Sequence, residues 1–151
     1  MIASQKIGKS FIGALSYNLK KLNHSDPKQR AELLEMSFVS LDSKSIRAQV
    51  ELVKLLKPAL RRHVYHTSLN FSKKEAGKLD NEMLLAIARD YLNGMGFTDN
   101  QYLIFRHHDA DHPHLHLLVN RISFDGKVVS GSNNYKRSEA ILIKLEQQYN
   151  L

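Results

Sequence analysis

Between Phe11 and Leu22 the apolar residues Phe11, Leu15, Leu19 and Leu22 recur at the spacing of one helical face. Residues 1–9 ahead of them read as a short strand, with Gly8 and Gly13 flanking the helix start. Asp26-Pro27 marks a turn and the start of a further helix. A brief strand is predicted through residues 36–41. Asp42 or Ser43 then caps a helix whose buried stripe is Ile46, Val50 and Val53 and which stops before Pro58.

The pattern changes period at residue 63. His63, Tyr65, Thr67, Leu69 and Phe71 alternate with Val64, His66, Ser68 and Asn70, which is the period of a strand. Asp80 opens a helix carried by Leu79, Met83, Ile87 and Tyr91 and ended by Gly94 and Gly96. Residues 101–107 and 114–123 read as two strands joined by an Asp/His/Pro turn. Asp125-Gly126 signals a hairpin into Lys127-Val128-Val129, and an amphipathic helix closes the chain over residues 136–149. Antiparallel strands with helices between them, packed on one face, make an α+β sandwich.

At 151 residues this is expected to be a single domain, 1–151, long enough to bury a core. No apolar run reaches the roughly 20 residues of a membrane span, and Met1–Lys6 lacks the apolar centre of a signal peptide. With no cysteine, disulfides and thiolate metal ligands are excluded, and a cytoplasmic location is expected. The net charge is +7, and four lysines (Lys6, Lys9, Lys20, Lys21) precede the first acidic residue, Asp26. Such a surface attracts polyanions, with nucleic acid as the default partner.

Five of the eight histidines fall in the run Arg106-His107-His108-Asp109-Ala110-Asp111-His112-Pro113-His114-Leu115-His116. On a strand, His114 and His116 project from one face about 7 Å apart. Two neutral imidazoles so spaced suit one first-row divalent ion. A solvated, histidine-rich turn is the plain alternative, but the run leads straight into Leu117-Leu118-Val119. His107 and His108 end the preceding strand on opposite faces, so at most one reaches the ion. Spacing leaves those two as close competitors, with His112 behind them. Beside a basic surface, such a centre suggests phosphodiester chemistry.

His107-x-Asp109-x-Asp111-His112-x-His114-x-His116, followed by Leu118-Val119-Asn120-Arg121, resembles the metal motif of plasmid mobilisation relaxases. These are HUH-type endonucleases that nick one DNA strand and capture it covalently before conjugative transfer. Gly8-Lys9-Ser10-Phe11 and Ala14-Leu15-x-Tyr17 resemble the segment carrying the relaxase tyrosine. His66-x-Ser68-x-Asn70-Phe71 with Glu75 resembles the second family motif. Gly96-Phe97, Asp125-Gly126-Lys127 and Leu145-Glu146-x-x-Tyr149-x-Leu151 follow the family's rhythm, so the likeness spans nearly the whole chain.

The resemblance implies a central antiparallel sheet of the HUH-endonuclease type, with helices packed on it and a DNA cleft across the exposed side. It implies His107, His114 and His116 as ligands of one divalent ion, drawn from Mn, Mg, Zn, Co or Ni. Relatives can carry a carboxylate where this chain has Ala110, so an all-histidine site is expected. Tyr17 is implied as nucleophile, with His24 as a lesser rival. It lies about 160° around the helix from Leu15 and Leu19, off the apolar stripe. Asp109 is a candidate acceptor holding an imidazole in one tautomer, and an ordinary turn-former is the competing role. His66, with Ser68 and Asn70, is a candidate for orienting phosphate or nucleophile. Lys9, Lys20, Lys21, Arg61, Arg62, Arg121, Lys136 and Arg137 are candidate phosphate contacts.

The implied partners are single-stranded DNA at an origin of transfer and accessory mobilisation proteins, with no membrane. Relatives usually continue past the point matched by Leu151, which implies either a domain cut from a longer chain or a short variant. Three alternatives remain: a metal hydrolase using water, a rolling-circle replication initiator, and a non-catalytic single-stranded nucleic-acid binder. A tyrosine motif ahead of the histidine motif favours the relaxase order over the initiator order.

Overall fold

The run His114–Ser123 forms β5, whose side chains are buried on both faces because helices cover the sheet from both sides. The computed structural model describes residues 1–151. Its elements follow in the order β1 (Ile2–Gly8), α1 (Phe11–Leu22), β2 (Glu32–Met36), α2 (Ser43–Lys54), β3 (Val64–Asn70), α3 (Asn81–Gly94), β4 (Asn100–His107), β5 and α4 (Asn134–Tyr149). A short 3-10 helix, Lys73–Lys78, precedes α3. The strands form one antiparallel sheet in the order β1-β3-β5-β4-β2. No helix is long and apolar enough to cross a membrane.

The helices do not share one face, as the sequence pattern suggests. α3 and α4 bring Leu84, Ile87, Tyr91, Leu142 and Leu145 to Leu69, Ile104, Leu117 and Val119. α1 and α2 bring Phe11, Leu15, Ile46 and Val50 to Val64, Leu103, Phe105 and Leu118 on the opposite face. The central strands are therefore apolar at both odd and even positions, and only a cover on each side keeps them dry. Capping follows the sequence: Ser10 Oγ accepts from Gly13 N at 2.9 Å, an Asp42 carboxylate oxygen from Ser45 N at 3.0 Å, and Asp80 Oδ1 from Met83 N at 2.8 Å.

Three other expectations are corrected. The second strand lies at Glu32–Met36, ahead of the predicted 36–41. A bulge between Leu33 and Glu35 breaks its alternation, while Phe38 packs edge-on against Phe11 in the α1/α2 core, centroids 6.2 Å apart. No helix starts at Asp26-Pro27. Asp26 closes one turn onto Lys28 and Gln29, and the bond from Ala31 N to Lys21 O draws the chain back toward the sheet. The hairpin at Asp125-Gly126 forms with Gly126 at φ 82°, but its return arm shrinks to a single bridge between Ile122 and Val128.

Candidate metal centre

Strand register assembles the site. Across the sheet, Ile2, Asn70, His114 and His107 form one row on the α1 face. The next row is Ser4, Ser68, His116 and Phe105, and the third is Lys6, His66, Leu118 and Leu103. Both β4 and β5 thus deliver their histidines to the end of the sheet where the chain turns at Asp109–Pro113. His107, His114 and His116 each offer one nitrogen within 4.8 Å of the others. His108 points off this face, its Nε2 at 2.7 Å from Glu32 Oε2. His112 Nε2 lies 3.2 Å from Asn70 Oδ1, outside the triad.

The electrostatics hold His107, His116 and the neighbouring His66 neutral. Burial lowers the pKa of His107 to about 4, against the charge of Asp109, which raises it. Burial, helped by neighbouring His107, lowers His116 to about 3. His66 is also lowered, by burial and then by the charge of Lys6. A neutral imidazole keeps a lone pair for a cation. The donor set fits a divalent ion in a second way: His107 Nδ1 is buried and has no hydrogen-bond partner. Such orphaned atoms are rare and call for an explanation. Three nitrogens and no carboxylate in the triad suit Mn, Co, Ni or Zn better than Mg.

Asp109 spans the gap between this centre and α1. Its Oδ1 lies 3.1 Å from His114 Nε2, and its Oδ2 accepts from Lys21 Nζ at 2.8 Å. Burial alone would raise its pKa. The hydrogen bond and charge of Lys21, then His107 and His114, overcome that and hold it near about 2. Lys21 in turn is raised, chiefly by the same hydrogen bond.

Tyr17 leans from the edge of α1 over the histidines. Its ring lies 6.2 Å from that of His107 and nearly parallel to it, 6.0 Å from His116 and 6.4 Å from His66. It is still 46% exposed, so its hydroxyl is open to a ligand. Lys21 Nζ sits 5.4 Å from the ring centroid. Beside Tyr17 opens a cavity of about 390 Å³ lined by Ser4, Lys6, Ala14, Tyr17, His66, Thr67, Ser68 and His116. That volume lies in the usual range of small-molecule sites, and the lining is polar on the sheet side. His24 lies beyond the end of α1, where its Nδ1 accepts from Asp26 N and its carbonyl from Arg30 Nε.

Of the eight basic candidates, only Lys21 touches this centre. Lys9, Lys20, Arg61, Arg62 and Lys136 are exposed, and Lys9, Arg61 and Arg62 belong to the opposite end of the sheet. Arg121 is buried and donates to the carbonyls of Val129 and Arg62, which leaves its guanidinium little access to a phosphate. Arg137 donates to Ser130 O. Two residues beside the centre were not among the sequence's site candidates, although Lys6 was counted in the basic run before Asp26. Lys6 alternates outward on β1 and reaches the cavity. Asn18 sits on the buried stripe of α1, seven residues after Phe11, and its Oδ1 is 2.8 Å from His107 Nε2. A polar residue interrupting an apolar stripe was the available signal.

The sequence matches a family profile described as relaxase, MobA/VirD2-like, nuclease domain, over residues 17–151. The fold is similar to the MobM relaxase domain (MOBV; Mob_Pre), whose Mn-bound crystal structure at pH 6.8 carries plasmid pMV158 oriT DNA of 22 nucleotides with a 3′ thiophosphate. The TM-score is 0.67 at 17% identity, covering 98% of this chain and 85% of that one. A second MobM structure, Mn-bound at pH 5.5 with the 22-nucleotide DNA, gives 0.63 at 16% identity over 99% and 87%. At such identity the likeness speaks for the fold. No curated protein matches the sequence.

Proposed function

Because the chain belongs to the relaxase family, as a MobA/VirD2-like nuclease domain, we propose that it nicks and rejoins one DNA strand at an origin of transfer through a covalent 5′-phosphotyrosine at Tyr17. The observation that carries this reading is the packing of one exposed tyrosine ring against three neutral histidines, 6.0 to 6.4 Å away. That the MobM domain binds Mn and origin DNA supports the same use of this fold.

His107, His114 and His116 would hold the divalent ion, which when bound supplies Lewis-acid polarisation of the scissile phosphate. The chain's own groups do the rest. Tyr17 attacks phosphorus, its phenolic oxygen forming the new ester as the bond to the 3′ oxygen breaks. The phenolic proton leaves and the departing 3′ oxygen gains one, so a free 3′-hydroxyl remains. One ester replaces another, and the reaction runs backwards to reseal the strand. Lys21, beside the Tyr17 ring, and Lys6, in the wall of the cavity that Tyr17 also lines, supply positive charge against the phosphate's negative charge. His66, whose Nε2 is 3.3 Å from His116 Nδ1, and Ser68 line the cavity and orient the phosphate. Asp109 steadies His114 from outside the triad.

The single-stranded substrate would run over Lys20 and the half-buried Lys21 of α1, with Arg61, Arg62 and Lys136 as outlying contacts. The reading includes accessory mobilisation proteins and action in the cytoplasm. A nicking assay on origin DNA, resolved on a denaturing gel, tests it. Wild type gives a protein–DNA adduct, whereas Tyr17→Phe binds DNA and Mn²⁺ but gives none. Nicking by Tyr17→Phe at a wild-type rate would assign the attack to water or to His24 and overturn the mechanism.

A further inference from the structure

Asn18 is fully buried, and it occupies a position on α1 where the stripe of Phe11 and Leu15 calls for another apolar side chain. A buried carboxamide left unpaired costs on the order of 1–3 kcal/mol, so its partners carry information. Its Nδ2 donates to Ala14 O at 2.9 Å. A carbonyl can only accept, so this bond settles which end of the amide is nitrogen. The other end, Oδ1, therefore faces His107 Nε2 at 2.8 Å. Oδ1 has no hydrogen to give, so Nε2 must carry the proton. A neutral imidazole has a single N–H, and Nδ1 is left with the lone pair. That atom is the buried nitrogen without a partner.

We propose that Asn18 is a positioning residue: it fixes His107 as the Nε2–H tautomer and so presents Nδ1 to a divalent cation. This rests on the reading of His107, His114 and His116 as one metal site. The same bond has a second effect. Asn18 follows Tyr17 directly in α1, so anchoring its side chain on His107 sets the rotation of the helix that holds the tyrosine over the histidines. Metal ligand and nucleophile are coupled through one hydrogen bond.

Two measurements test the assignment. Long-range ¹H–¹⁵N correlation on the metal-free wild-type protein reads the histidine tautomers directly, with His107 expected to be protonated on Nε2. Titration calorimetry with Mn²⁺ compares Asn18→Leu, which keeps the volume and removes the acceptor, with Asn18→Asp, which keeps the acceptor. Asn18→Leu should bind Mn²⁺ about 10–100-fold more weakly, and Asn18→Asp should restore most of the affinity. A wild-type His107 protonated on Nδ1 overturns the proposal, as does a folded Asn18→Leu protein with wild-type affinity. Should Asn18→Leu fail to fold, the wild-type tautomer and Asn18→Asp still decide. A wild-type protein that binds no Mn²⁺ refutes the metal reading itself, while the tautomer measurement continues to judge Asn18 alone.

Discussion

Lowering the pH from 7.5 to 5.0 should destabilise the metal-free protein by about 4 kcal/mol through His107 and His116 alone. Both rings have ordinary values of 6.5 when unfolded and about 4 and about 3 when folded, principally because they are buried. Between those limits the unfolded chain binds protons that the folded chain refuses, so stability falls as pH falls. It is complete above the unfolded value and lost progressively down to the folded ones. At pH 5.0 each unfolded imidazole sits about 1.5 pH units below its pKa, which at 1.36 kcal/mol per unit is about 2 kcal/mol per ring. Against a typical domain stability of about 5–15 kcal/mol this is a large share. Urea denaturation followed by circular dichroism, with chelator present, measures it at the two pH values. The variant His107→Gln/His116→Gln should show a markedly shallower pH dependence. Equal stability of the wild type at both pH values, or an unchanged slope in the double variant, would refute the argument from buried neutral rings.

Two further outcomes are expected. His114→Ala should weaken Mn²⁺ binding by orders of magnitude in calorimetry, whereas His108→Ala, whose ring meets Glu32 on the other side of the turn, should leave it intact; equal losses would mean the triad is wrongly drawn. Fluorescence anisotropy should show tighter binding to single-stranded than to duplex DNA, falling steeply with salt as phosphate contacts release counterions. A salt-insensitive affinity would argue against the basic surface as the DNA contact.

Much of this was legible because period two and period 3.6 are hard to confuse over long runs. The alternation of residues 63–71 is β3, and the face carrying His66, Ser68 and Asn70 is the face of the histidines. His114 and His116 share that face for the same reason. Local pattern stops where partners are remote. That α1 and α2 cover the face opposite α3 and α4 depends on which strand neighbours which, and no window of sequence holds that. The bulge at Leu33/Glu35 hid β2 by shifting its phase. Tyr17 lies off the apolar stripe of its helix, so periodicity alone reads it as a surface residue. Only the crossing of α1 over the end of β5 gives it imidazole neighbours. Asn18 was hidden in the opposite way, as a polar letter in a position that burial claims.

The three histidines come from a single hairpin, His107 to His116, whose two strands pair in register at His107 and His114. The tyrosine comes from a helix some ninety residues earlier in the chain. The two halves of the site therefore have very different contact orders. A short hairpin can close on its own, and a cation bridging its strands would clasp it like a staple. Bringing Tyr17 to that hairpin requires α1 to dock on the finished sheet. Local opening of α1 would then carry Tyr17 away from the histidines and Asn18 away from His107, while the hairpin keeps His107, His114 and His116 together. On the proposed reading cation binding would be weakened but covalent capture lost outright, which makes capture the first capacity to go as the fold loosens.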